Sequence, residues 1–453
     1  MSNMSDHAIR KGLDIPIQGA ASGDIVALDA PSTVAYDPRE LSGLIPRLDA
    51  REGDRVAAGG VLFHDKKRPS IVVRSPIAGV VKEVRRGARR VITDVVVEAD
   101  GDASESLQAY TPAELNGLSR EEAREAVAAS GWWPALRTRP LDRIPSPDDT
   151  PQSILIGAME TGPLQPGADV LIDAGDADAL QAAINVLARL TDGPVHLARK
   201  KGEAHPALDG VSGVQVHTFS GPHPAGDMGV QVNLVDPPRG THRVWVIRAW
   251  DAVALGHTLL KGRFHAERVY AAVGVGAADK RFVKTVLGAP LETITSESTP
   301  SRWINGSVLT GRATSKDRWA GFGNRGVHLL PEEVPRHILG WALPAPGAWS
   351  FHKAFLGAFT GAPKGGVDLR PGLFGGHRAI VPIGVYDKVV PTPDILPDFL
   401  FKAIIAGDLE ESISLGLLDI TREEAALCTY VCPSKMEFDV ILQEGLEFYE
   451  REA

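Results

Sequence analysis

The run Ser130–Pro140 reads SGWWPALRTRP and sets two indoles, Trp132 and Trp133, just ahead of two guanidiniums, Arg137 and Arg139. Aromatic rings beside fixed cationic donors suit a flat, carbonyl-bearing ring such as a quinone. Stacking supplies affinity, and an arginine can donate to a carbonyl or semiquinone oxygen. The same residues also suit an inter-domain clamp, with packed indoles and an arginine paired to Asp148 or Asp149. A second candidate is His223, held in SGPHPAG between two prolines and two glycines. The loop follows an expected strand, at the carboxyl edge where α/β proteins bind ligands. It reads either as a ligand-facing histidine or as a loop shaped for packing or subunit contact.

Other motifs exclude more than they suggest. The only cysteines, Cys428 and Cys432, lie in LCTYVCPSK. That spacing resembles iron–sulfur ligation, but two thiols cannot supply four ligands, so a buried structural pair is expected. Gly321–Gly326 is formally G-x-G-x-x-G, yet no apolar strand precedes it and proline follows too soon for a helix, so it reads as a chance match. There is no Walker-type loop, no H-E-x-x-H and no G-x-S-x-G. No metal site is expected.

With 57 acidic against 48 basic residues, the chain carries a net charge of −9, which argues against nucleic acid as a partner. Two cysteines in 453 residues fit a reducing compartment. The N-terminus lacks the pattern of a secretory signal, and no run of about 18 apolar residues offers a membrane span. A role at a membrane would therefore come through partner proteins, and sodium conduction by this chain is not expected.

These residues need a scaffold of several domains. Short Val/Ile-rich strands at Val61–Phe63, Ile71–Val73, Val80–Val81 and Val91–Val97 alternate with glycine turns. The segment REGDRVAAGGVLFHDKKRPSIVVRSPIAGVVKEV resembles a biotinyl/lipoyl-carrier β-sandwich; Lys66 or Lys67 would bear a modification only if it were a swinging arm, and a plain scaffold is the preferred reading. Ser119 with Glu122 forms a capping box for a helix stopped by Gly131. Strands expected at Ile154–Ile156, Val170–Ile172, Val195–Leu197, Val214–Val216 and Val244–Ile247, with a helix starting near Asp176 or Asp178, argue for an α/β layer with a largely parallel sheet. A small mixed β domain and a proline- and glycine-rich stretch follow. The helical end has capping pairs Asp408/Glu411 and Thr421/Glu424 and a last helix from Pro433.

Taken in order, IRKGLDIPIQG, EGDRV…DKKRP…SPIAGVV, SGWWPALRTRP, FSGPHPAG, NGSVLTGR, GGHRAIVPIGVYDKVVP and LCTYVCPSKMEF resemble the A subunit of the sodium-translocating NADH–quinone reductase. A more distant likeness is to the C subunit of the Rnf-type ferredoxin–NAD reductase, whose two cysteine clusters this chain lacks. The resemblance implies an α/β multidomain chain: a biotinyl/lipoyl-like β domain at 1–105, a Rossmann-like α/β domain at 106–254, a soluble-ligand-binding β-grasp domain at 255–330, a connecting segment at 331–375 and a helical domain at 376–453. It also implies a peripheral subunit on the cytoplasmic face of the bacterial inner membrane. Its partners would be the other five subunits of a six-subunit complex, chiefly the membrane-embedded ones. The whole complex would use NAD(H), ubiquinone and Na+, with flavins and an iron–sulfur cluster in other subunits and no cofactor bound by this one. Quinone-binding candidates are then Trp132, Trp133, Arg137, Arg139 and His223. The alternative is a docking module with no ligand of its own.

Overall fold

The computed structural model describes residues 5–452 apart from 239, 241, 334–350, 353–364 and 370–376. Near the N-terminus a four-stranded sheet, ordered Thr33–Tyr36, Ile92–Ala99, Gly79–Arg86 and Arg55–Val56, accompanies a three-stranded sheet of Pro46–Leu48, Val61–Asp65 and Val72–Arg74. Alternation along the strands sends Val34, Tyr36, Val81, Val95 and Val97 inward from the first sheet, where they join Leu62, Phe63, Ile71 and Val73 from the second. Lys66 and Lys67 lie in the turn between two strands of the smaller sheet.

The central layer is a six-stranded sheet. Its order is Ser5–Ala8, Gln215–Ser220, Val195–Lys200, Ser153–Gly157, Val244–Arg248 and Arg137–Arg139. All pairings are parallel except the last, where Arg137–Arg139 runs antiparallel to Val244–Arg248. The helices Ala177–Leu187 and Ala249–Lys261 bury Leu180, Ile184, Leu187, Ala252, Leu255 and Leu259 on one side of it. Helix Met228–Val235 covers the other side through Val230 and Val232. The Arg120–Ser130 helix begins at the Ser119/Glu122 capping box and stops at Gly131, as the sequence indicates.

A third sheet is ordered Arg312–Thr314, Ser301–Asn305, Gly326–Pro331, Glu267–Val273, Arg281–Val286 and Ile25–Ala27. Its two central strands, Glu267–Val273 and Gly326–Pro331, are parallel. At the C-terminal end, helices Pro397–Ala406, Leu409–Ser414, Arg422–Val431 and Phe438–Glu452 pack around Tyr386, Phe401, Leu427, Cys428 and Phe438.

The structure departs from the sequence reading in four places. Residues 5–30, expected within the N-terminal β domain, instead lace the molecule: Ser5–Ala8 extends the central sheet and Ile25–Ala27 the third. The expected boundary between 254 and 255 falls inside helix Ala249–Lys261. Val170–Ile172, read as a strand, lies mostly in a short helix, Ala168–Leu171, because three apolar residues fit either period. The last helix starts at Phe438 rather than Pro433. Most of the 331–375 stretch lies outside the described residues.

Candidate functional site

The strand Arg137–Arg139 sits on the edge of the central sheet, so alternate side chains share a face and Arg137 and Arg139 point the same way. Both line a cleft of about 450 Å³ where the four parts of the chain meet. Arg39 and Glu40 reach it from the N-terminal region, Asn305, Arg312 and Asn324 from the third sheet, and Ile420, Arg422 and Asp439 from the C-terminal helices. Arg137 donates to the Pro134 carbonyl and, at 3.0 Å, to that of Leu136. Burial pulls its pKa down, against the charges of Asp142 and Asp251. Arg139 is buried and donates to the carbonyls of Asp419 (3.5 Å) and Ile420 (3.4 Å), while its Nε finds no partner among the described residues.

The two indoles lie behind this strand. Trp132 and Trp133 are both fully buried. Trp132 stacks on Phe264 at 5.5 Å, carries the Arg268 guanidinium 4.3 Å from its ring centre and donates from Nε1 to Thr258 Oγ1 at 3.0 Å. Trp133 meets Trp245 edge-on at 5.5 Å and donates to the Pro145 carbonyl at 3.0 Å. Stacking on a ligand needs an open ring face, and neither indole has one; the pair instead joins the N-terminal and central cores. The clamp reading is right in kind but not in partner, since Arg139 reaches carbonyls of the C-terminal region rather than Asp148 or Asp149.

His223 follows strand Gln215–Ser220 at its carboxyl end, as expected, but it is buried. Its Nδ1 lies 3.2 Å from Thr161 Oγ1, and its Nε2 forms an ion pair with Glu423 Oε2 at 3.3 Å. Burial alone would lower the His223 pKa; the adjacent Glu423, with Glu160 and Asp227 beyond it, outweighs burial and raises it. Burial likewise pushes Glu423 up, but His223 and the Thr310 hydroxyl, which donates at 2.7 Å, hold it below its ordinary value. Asp227 caps helix Met228–Val235 and feels both Arg139 and Glu423, so it links this buried group to the cleft. His223 itself does not line the cleft. Sequence reasoning missed Glu40, Asp227 and Glu423. They stand in no motif, although Glu423 is next to the capping residue Glu424.

Between strands Ser153–Gly157 and Val244–Arg248 the chain order of the parallel sheet reverses, which is where such sheets bind ligands. Here Arg248 fills that position. It donates to the carbonyls of Met159 (3.1 Å) and Gly226 (3.0 Å) and pairs with Glu160 at 3.6 Å. Cys428 and Cys432 are both buried as free thiols. Among the described residues no group of three or more His, Cys, Asp or Glu side chains is placed to hold a metal ion, and no helix is long and apolar enough to cross a membrane.

Three family models match this architecture in order: an NqrA N-terminal barrel-sandwich hybrid domain at residues 7–100, an NqrA second alpha/beta domain at 118–264 and an NQRA C-terminal domain at 270–316. With the relatives that share them, they define the class: one component of an NADH–quinone reductase, an oxidoreductase complex. The A subunit of the Na(+)-translocating NADH-quinone reductase from Pasteurella multocida (strain Pm70) is 37% identical over 98% of this chain and 99% of its own length. Its counterparts from Vibrio atlanticus (strain LGP32) and Neisseria meningitidis serogroup B are 38% and 35% identical over the same shares. The chain belongs to the family of the A subunit of the Na(+)-translocating NADH-quinone reductase. A looser likeness, to a solved NAD+-reducing [NiFe]-hydrogenase, covers 49% of each chain at 13% identity with a TM-score of 0.32, too low to carry an argument.

Proposed function

We propose that this chain is the peripheral subunit of a six-subunit complex on the cytoplasmic face of the bacterial inner membrane and that it assists ubiquinone binding and reduction. NAD(H), ubiquinone and Na+ are used by the complex as a whole, with flavins and an iron–sulfur cluster in the other five subunits and none held here. The observation that carries the quinone reading is the cleft. Arg137 and Arg139 line it from one strand face, and their hydrogen bonds run to backbone carbonyls rather than to carboxylates. Such guanidiniums can meet the negative charge that builds on a quinone oxygen as it takes up electrons. In this reading Trp132 and Trp133 support the strand from behind, and His223 with Glu423 sets the charge beneath it.

The finer fold assignment belongs to the same proposal. Numbering the main parallel strands of the central sheet by chain order gives 3-2-1-4, the arrangement of a Rossmann-like half. Within 267–331 the third sheet has two hairpins, Glu267–Val273 with Arg281–Val286 and Ser301–Asn305 with Arg312–Thr314, and a last strand, Gly326–Pro331, parallel to the first, which supports a β-grasp. Domain limits at 1–105, 106–254, 255–330, 331–375 and 376–453 are retained with two changes: residues 5–30 are shared among sheets, and helix Ala249–Lys261 belongs to the α/β unit.

A purely structural docking module is the second reading, favoured by the closed ring faces of Trp132 and Trp133. Titrating the full chain with a water-soluble ubiquinone while following tryptophan fluorescence separates the two. Saturable quenching that weakens in Arg137→Ala supports the quinone reading, and a linear, collisional response supports docking alone.

A further inference from the structure

Glu40 ends the turn Pro38–Glu40, which Asp37 caps by accepting from the Arg39 N–H. Its side chain lines the arginine cleft and also a second cleft of about 570 Å³ formed with Asp37, Asp94, Arg318 and Trp319. Of the four carboxylic residues on the arginine cleft, Glu40, Asp142, Asp439 and Glu447, Glu40 alone lines both.

The Gly321–Gly326 loop is fitted to this carboxyl. The Phe322 N–H donates to Glu40 Oε2 at 3.1 Å. A Cβ at Gly321 would stand 2.2 Å from that same oxygen and 2.4 Å from Asn324 Nδ2. Any larger residue at 321 would displace the carboxyl. The string that mimics a dinucleotide fingerprint opens no helix; its first glycine makes room for an acid.

A role for that acid depends on the quinone reading above. Converting a quinone to a quinol takes two electrons and two protons: Q + NADH + H+ → QH2 + NAD+. Arginine stays charged and cannot give up a proton in this range, so the cleft needs an acid. Burial, and after it the charge of Asp37, raise the Glu40 carboxyl to about 7, against Arg312, the Phe322 N–H and Arg39. Tyr270 feels Glu40 from the third sheet, while Arg137, Arg139, Arg143 and Arg422 share the cleft.

We propose that Glu40 is the proton donor to a quinone oxygen in the arginine cleft and is reloaded from water in the Asp37–Asp94 cleft. The Glu40 O–H bond breaks as one quinol O–H bond forms, and the second quinol proton comes from solvent. The electrons come from NADH through the complex, and the replacement proton comes from solvent.

The test is Glu40→Gln in the assembled complex, because the amide keeps the shape and the acceptor for Phe322 but has no proton to give. General acids of this kind contribute about 100-fold or more. The expected result is a fall in kcat for ubiquinone of about that size, with the quinone KM unchanged and NADH oxidation by ferricyanide unchanged. Wild-type turnover should decline above about pH 7 as Glu40 ionises, and the variant should lose that limb. A kcat within about twofold of wild type, or an unaltered pH profile, overturns the proposal. If the variant turns over normally while the full chain still binds soluble quinone, only the Glu40 assignment falls; if the chain binds no quinone, the cleft reading falls with it. Should the variant fail to assemble, carboxyl ¹³C NMR of the full chain decides: a glutamate titrating near pH 7 in wild type whose signal is lost in Glu40→Gln is expected, and no such signal, or one that survives the substitution, overturns it.

Discussion

The two ends of the His223–Glu423 pair titrate in opposite senses, and that fixes when the pair stabilises the fold. His223 is raised from 6.5, so its contribution is complete below 6.5 and is lost as pH rises through its folded value. Glu423 is lowered from 4.5, so its contribution is complete above 4.5 and is lost as pH falls through its folded value. The window in which both are complete runs from 4.5 to 6.5. The Tm difference between wild type and Glu423→Gln should therefore peak inside that window and shrink by about pH 9 and by about pH 3. A difference independent of pH would mean that the pair acts by shape alone. None of this is legible in the sequence, because His223 and Glu423 lie on separate elements with no shared pattern. Trp132 and Trp133 show the converse problem. An aromatic and arginine-rich run has the same composition at an open ligand face and at a closed core junction, and only tertiary burial separates the two.

Among the elements, the locally encoded features are the legible ones. The Ser119/Glu122 and Thr421/Glu424 capping boxes both form, and Asp408 caps its helix as expected. Central-sheet strands at Ser153–Gly157, Val195–Lys200, Gln215–Ser220 and Val244–Arg248 carry their apolar runs in full view. The strands Ser5–Ala8 and Ile25–Ala27 are invisible in the sequence, because each is short and gains its identity from a strand more than 200 residues away. The close crossing of helices Ala177–Leu187 and Ala249–Lys261 is likewise hidden in an ordinary helical glycine. A Cβ on Gly256 would stand 1.8 Å from the Ala179 carbonyl oxygen. Gly256→Ala should therefore overpack this crossing and cost about 1–3 kcal/mol despite alanine's better helix propensity. Chemical denaturation checks this, and a variant as stable as wild type would show that the helices can part freely.

At the scale of the whole molecule, the cleft belongs to no single domain. The N-terminal and central regions share one continuous core through Trp132 and Trp133, and Arg139 bonds across to the loop before helix Arg422–Val431. Residues 9–17 strap the same junction: Leu13 N–H donates to the His223 carbonyl and Gly12 N–H to that of Lys388. Arg137 is thus held by carbonyls of its own segment and Arg139 by carbonyls of the C-terminal region, a preorganisation that electrostatic stabilisation requires and that an isolated motif could not announce. The most direct test is the KM for ubiquinone of the assembled reductase carrying Arg137→Ala. Losing a charge-assisted hydrogen bond should raise it about tenfold, with NADH oxidation by ferricyanide untouched. An unchanged KM would contradict a quinone-binding role for this cleft.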